Sequence, residues 1–281
     1  MVVFGAVVAI AAVGPAADTT ARANGVSLAS MAAWRDPLAA IHLVDRNTSF
    51  PARDESAPTA GACKSGMVLV EGDWCPRVEQ RCLRWMDPPG RYHRYRCAEY
   101  ARDVPCLAAR VHERFCIDRR ERADTSSGLP LNLRSWTDAK RECAAAGARV
   151  CLDSEWTFAC EGEEMRPYPY GWRRAASQCN ADRGDLLLSG KPGGPSHLRD
   201  EREPSGAHPA CTSPFGVLDM AGNVAEWVSV DGHAEGSIVV QKGNWWQPGK
   251  HACRDAQGGH DRYYKGTETG FRCCADAGSS P

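Results

Sequence analysis

The sequence predicts a mixed α+β domain with little regular secondary structure, cross-linked by disulfides. Three observations carry that expectation. Short apolar runs recur between Gly- and Pro-containing turns, the pattern of brief buried strands. Two mid-chain segments carry helix caps and helical spacing. The 281-residue chain also holds 14 cysteines, 27 glycines and 18 prolines, which suits loops and cross-links better than a helix bundle.

Residues 2–13 are almost wholly apolar, and Ala21-Arg22-Ala23 offers a small-x-small cleavage site. This predicts a signal peptide over 1–23, although no Lys or Arg precedes the apolar run. The run is too short to span a bilayer, so no stable membrane span is expected in the mature chain. Residues 24–62, rich in Ala, Ser, Pro and Thr, read as a linker or loosely ordered arm, with a short helix over 31–44. The folded domain is expected over 63–276. Met67 to Val70 form a first strand. The stretch 75–116 holds five cysteines around Arg91-Tyr-His-Arg-Tyr-Arg96 and reads as a solvated hairpin rather than a base-stacking surface. Phe115 to Asp118 and Leu131 to Leu133 are further strands. Ser135 or Thr137 caps a helix ending near Gly147, with Trp136, Ala139, Cys143 and Ala146 on the core face. Asp153 or Ser154 caps a second helix whose Trp156 and Phe158 pack inward. Residues 182–209 are polar loop. Ser237 to Gln241 and Gly270 to Cys274 are the last strands. No 20–50-residue repeat appears.

Charge is balanced, at 34 basic and 35 acidic residues, and no basic block could grip a phosphate backbone, so nucleic acid is not expected as a partner. The cysteines are not grouped in paired CxxC knuckles, which argues against structural zinc. Their even number implies up to seven disulfides and an oxidising compartment, hence an exported protein.

The stretch most suggestive of chemistry is PFGVLDMAGNVAEW, residues 214–227. Asp219, Asn223 and Glu226 place three oxygen-bearing side chains around Gly222, where the backbone can bend sharply. Hard cations such as calcium take six to eight oxygens, many from bent backbone. The same residues fit a helix start, with Asn223 as N-cap and Glu226 three positions on. Both readings stand on the residues alone.

This stretch resembles the GNVWEW-type signature of the formylglycine-generating enzyme family, the sulfatase-modifying factor domain. MVLVEGDWC, FCIDRRE, the segment from Trp136-Thr-Asp-Ala139 to Leu152-Asp-Ser-Glu-Trp156, YPYG, KGNWW and GFRCC resemble further blocks of that family in the same order. The resemblance implies a C-type-lectin-like fold with bound structural calcium. Matched residue by residue, one calcium would be held by Asp219, Glu226 and the carbonyls of Gly222 and Val224, and a second by Asn180 and the carbonyl of Ala181.

Members of the family oxidise a sulfatase cysteine to formylglycine with oxygen and a copper ion held by two thiolates. Soft thiolates suit Cu(I), so both sulfurs are needed. Here the first cysteine position falls near Gln247 or Pro248, and Cys253 matches a later, non-catalytic cysteine. Trp245 replaces the serine of the family's GGSW block. The copper dithiolate is therefore expected to be missing, and no catalytic residue is assigned. His251 could replace a thiolate, but the plainer expectation is an exposed His251 and a disulfide-bonded Cys253. The implied role is a calcium-stabilised binding or scaffold module, or an oxidase of unrecognised type. The alternative is an active metal-dependent oxidase modifying a protein or peptide substrate, whether a sulfatase or a peptide chromophore.

Overall fold

Met67–Trp74 (β1) pairs antiparallel along its full length with Val111–Asp118 (β4), from Met67 opposite Asp118 to Trp74 opposite Val111. This is a computed structural model, and it describes residues 61–184 and 199–278. The expected signal peptide, nearly all of the arm and the helix over 31–44 lie outside those residues. Cys273–Asp276 (β10) adds to the other edge of β4, and Arg149–Val150 (β5) adds to β10, giving the order β1-β4-β10-β5. Cys82–Trp85 (β2) and Cys97–Tyr100 (β3) form a separate hairpin. A second sheet, in the order β8-β7-β6-β9, comprises Ala225–Ser229 (β6), Val239–Lys242 (β7), Ala256–Gln257 (β8) and Thr269–Gly270 (β9).

Trp136–Ala145 (α1) starts at Ser135, whose hydroxyl accepts from the Asp138 N–H while Asp138 accepts from the Ser135 N–H. That reciprocal box satisfies two donors the first turn leaves open. Trp136, Ala139 and Cys143 face the core as their spacing predicts, but Ala146 lies beyond the last turn and is exposed. Asp153–Glu161 (α2) takes its cap before either of the expected residues, Asp153 or Ser154. Leu152 is the N-cap and offers no capping side chain; the Glu155 carboxylate accepts its N–H instead, at 2.8 Å. Ser154 is turned away to Asp231. Trp156 and Phe158 of α2 are fully buried with Val70, Ile117, Val217, Met220 and Val228. No strand forms at Leu131 to Leu133, because Leu133 takes a left-handed φ of 52° that breaks the extended run.

All fourteen cysteines are paired, in seven disulfides. Cys63–Cys116 ties the start of the domain to β4. Cys75–Cys106 and Cys82–Cys97 brace the hairpin region, which is solvated as expected, with Tyr92 and Tyr95 exposed. Adjacent strand residues point to opposite faces, so Cys273 reaches α1 at Cys143 while Cys274 reaches Cys151. Seven disulfides are the mark of a non-cytosolic protein. Among the described residues, no helix is long and apolar enough to cross a membrane.

Candidate functional site

The loop before β6 is shaped by two left-handed residues, Asp219 (φ 57°) and Asn223 (φ 58°), on either side of Gly222 (φ 89°). Asx side chains tolerate this region better than other non-glycine residues. At Gly222 only glycine fits, since a Cβ would sit 2.2 Å from the Asn180 carbonyl oxygen. The chain then enters β6 directly. Asn223 is therefore not a helix N-cap, and Glu226 lies on a fully buried strand rather than in a first helical turn.

Asn223 instead knits three segments together. Its N–H donates to the Asn180 carbonyl at 2.8 Å, and its Oδ1 accepts from Asn180 Nδ2 and from the Glu203 N–H, both at 3.0 Å. Its Nδ2 donates to Glu121 Oε2 at 2.8 Å. The residues that the resemblance assigns to two separate calcium ions thus lie against one another, with Asn180 packed on Gly222.

Three carboxylates, Glu121, Asp219 and Glu226, are buried here, and Arg272 is the buried cation that faces them. Glu226 takes a bidentate contact from Arg272, with Nε to Oε2 at 2.5 Å and Nη2 to Oε1 at 2.6 Å. Trp156 Nε1 also donates to Glu226 Oε2, at 2.7 Å. Arg272 completes its fork on the carbonyls of Asp118 and Leu218. Asp219 accepts from the Gly206 N–H. Burial, then the charges of Asp219 and Glu226, push the Glu121 carboxyl well above the ordinary range, and burial raises Asp219 too. Glu121 carries no role in the sequence reading, although it lies in the FCIDRRE block; only the fold shows that it turns inward.

These residues fit a hard cation in part. Without a counter-ion, burial raises Glu121 and Asp219 towards their neutral forms; a bound cation would let all three carboxylates ionise against the one guanidinium, and every donor is an oxygen, as calcium requires. Glu226, however, already uses both oxygens on Arg272 and Trp156, and could serve an ion only by sharing them. Asn180 Oδ1 accepts from Arg183 Nε and its carbonyl from Asn223, so it too is engaged. Among the described residues no three His, Cys, Asp or Glu side chains converge tightly enough to hold a metal by themselves, so carbonyls such as those of Gly222, Val224 and Ala181 would have to complete the shell.

The loop after β7 is the place where the copper thiolates would lie. Its cysteine, Cys253, is bonded to Cys160 of α2 and fully buried. Trp245 and Trp246 pack edge to face at 4.8 Å between ring centres. His251 is not exposed as its sequence context suggests. It is 2% exposed, with Nδ1 3.1 Å from the Gly243 carbonyl and Nε2 3.1 Å from the Gln247 carbonyl. A neutral imidazole has one N–H and can donate to only one of them. Burial, with the Arg174 charge, depresses its pKa to about 4. It braces the loop, and no cysteine sulfur is free beside it.

The sequence profile of the sulfatase-modifying factor enzyme 1-like domain matches residues 83–277. Over 176 residues the chain is 28% identical to the inactive C-alpha-formylglycine-generating enzyme 2 of Bos taurus, covering 58% of this chain and 57% of that protein. It is 28% identical over 175 residues to the formylglycine-generating enzyme of Mus musculus, covering 53% and 45% of the two chains. It is also 27% identical over 176 residues to the hercynine oxygenase of Mycobacterium tuberculosis, covering 60% and 37%. The chain thus spans from about a third to under three-fifths of the length of these relatives. Among solved structures, CarF is similar in fold at a TM-score of 0.50 and 14% identity, over 75% of this chain and 97% of that one.

Proposed function

The chain belongs to the sulfatase-modifying factor family, and from that premise we propose that it is an exported binding or scaffold domain that has lost the family's copper chemistry. One observation carries this reading: every cysteine sulfur is tied up in a disulfide, and Cys253, the cysteine of the 243–253 loop, is held by Cys160 of α2. Two free thiolates are what Cu(I) would need, and the chain offers none. The similarity to a relative named as inactive supports the same reading. Calcium is the structural ion in this proposal. Asp219, Glu121 and the carbonyls of Gly222 and Val224 would hold it, with Glu226 shared between the ion and Arg272 and with Asn180 and Ala181 on the far wall. The ion would neutralise the surplus buried charge and lock the loop before β6; it takes no part in a reaction.

The test is oxygen uptake. Purified full-length protein reconstituted with Cu(I) is offered a cysteine-containing sulfatase peptide, with an electrode reading oxygen and mass spectrometry reading the peptide. No uptake and an unchanged peptide are expected. Turnover, with formylglycine in the product, would show an active oxidase instead.

A further inference from the structure

The turn joining β2 to β3, residues 86–96, presents large apolar and cationic side chains to solvent. Met86, Tyr92 and Tyr95 are 40%, 64% and 45% exposed, and Leu83 on β2 is 53% exposed. Arg84, Arg91 and Arg94 are exposed among them. The turn is nonetheless fixed. Cys82–Cys97 closes its base. The Asp87 carboxylate accepts from the Arg96 N–H at 2.9 Å, from its Nε at 3.0 Å and from its Nη2 at 2.6 Å. The Asp87 carbonyl lies 2.7 Å from His93 Nδ1, and the Tyr95 N–H donates to the Tyr92 carbonyl at 2.9 Å. A braced turn loses little freedom when it docks.

Charge on this turn is uneven. Asp87 is the one acid between Arg84 and Arg96 in the sequence, and Arg96 occupies both of its oxygens. Among the described residues, Arg84, Arg91 and Arg94 form no ion pair. Arg91 stacks on Tyr92, with Cζ 5.5 Å from the ring centre, and Tyr92 meets Tyr95 edge to face at 6.4 Å. A guanidinium over a ring keeps its charge. Lys250 lies over Tyr95 but is paired with Asp255, so it adds nothing to this excess. The whole chain has a formal net charge of -1. The three unmatched guanidiniums are therefore a local concentration of positive charge, set beside exposed hydrocarbon.

We propose that this turn docks on an anionic lipid surface. Leu83 and Met86 enter the acyl boundary, Tyr92 and Tyr95 lie at headgroup level, and Arg84, Arg91 and Arg94 meet lipid phosphates. The chemistry of the turn selects that partner. Sugar hydroxyls need acceptors as well as donors, and the turn's one carboxylate is spent on Arg96. A nucleic acid or a sulfated polymer would match the charge but leave Leu83 and Met86 in water. Three cations and a few apolar side chains give a reversible attachment, comparable with that of a single acyl chain. The proposal concerns where the domain is held. It needs neither the calcium cluster nor the loss of copper chemistry.

The experiment co-sediments full-length protein with vesicles of phosphatidylcholine alone, and of phosphatidylcholine with about a third phosphatidylglycerol. Binding should need the anionic lipid, half-saturate at on the order of 0.1 mM lipid, and weaken about ten-fold or more at high salt. Arg91→Gln and Arg94→Gln should each weaken it about five-fold, the equivalent of about 1 kcal/mol per cation near the surface. Met86→Ser should weaken it about ten-fold, and Tyr92→Ser gives a second apolar test. All four should melt close to wild type. The apolar segment 2–13 is common to every protein compared, so the difference between wild type and variant reads the turn alone. Equal binding to both vesicles, or to neither, overturns the proposal. So do arginine or apolar variants that bind as wild type does. So does soluble dextran sulfate or polyglutamate bound as tightly as the anionic vesicles, which would mean a polyanion partner and no contact with hydrocarbon. Failure on any of these counts leaves the oxygen-uptake result untouched.

Discussion

Arg272→Met should be among the most damaging single substitutions in this domain. Arg272 is 1% exposed and makes four hydrogen bonds, two to Glu226 and one each to the carbonyls of Asp118 and Leu218. Methionine keeps much of the volume but leaves Glu226 with only Trp156 as donor, beside Glu121 and Asp219. Breaking one side of a buried pair costs about 3–5 kcal/mol. At about 2–4 °C per kcal/mol for a domain of this size, the Tm should fall by roughly 6–20 °C. Thermal melts of the single variant, of Glu226→Gln and of the double variant measure this. Gln at 226 keeps an acceptor for Trp156 while removing the charge. The double variant should therefore be more stable than Arg272→Met alone, by about 1–3 kcal/mol of coupling. The single variant should also respond more strongly to calcium, because the ion no longer shares Glu226 with a guanidinium. A Tm within about 2 °C of wild type for Arg272→Met, or a double variant less stable than the single, would refute the claim that unmatched charge dominates this cluster.

Chelation should lower the Tm of the wild type, by about 5–11 °C if calcium was present at a hundred times its Kd. Glu121→Gln and Asp219→Asn should each shrink that response, and a chelator without effect would remove calcium from the proposal. Replacing both Cys143 and Cys273 by alanine leaves Cys151–Cys274 spanning nearly the same chain, so only a short ring of about ten residues is opened and the cost should be about 3 kcal/mol in the chain-entropy view; denaturant melts showing a loss of about 5 kcal/mol or more would contradict it. His251 has its pKa depressed to about 4 from 6.5, so its contribution is full above the unfolded value and is lost as pH falls through the window from 6.5 to 4. The loss should approach about 3 kcal/mol and vanish in His251→Gln, as pH-dependent urea midpoints would show; a variant with the wild-type pH profile would clear His251 of the effect.

Much of the fold was legible in the residues. β1 and β4 announced themselves by apolar runs, α1 by the Ser135–Asp138 box, and the even cysteine count by its full pairing. What escaped was whatever depends on distant chain. The turn at Gly222 read equally well as a helix start, and only the Asn180 carbonyl against it decides for the tight loop. Glu121 drew no role from the sequence. Its inward turn is set by Asn223, about a hundred residues on. His251 looked exposed among Gly, Pro and Lys, yet the two carbonyls of its own loop fold over it. The family blocks identified Asp219 and Glu226 together, but the fork of Arg272 on Glu226 needed the three-dimensional pairing of β6 with the end of the chain.

Consider finally where β10 sits. It is flanked by β4 on one edge and β5 on the other, and its two consecutive sulfurs are anchored on opposite faces. The ribosome makes this central strand after all the others. Nascent chain must wait, with its first sheet split and two of its cysteines, Cys143 and Cys151, unmatched, until that strand arrives. A stalled or prematurely stopped product would present β4 with a bare edge and reactive thiols to whatever oxidant and chaperones it meets, so assembly of this domain is gated by its tail.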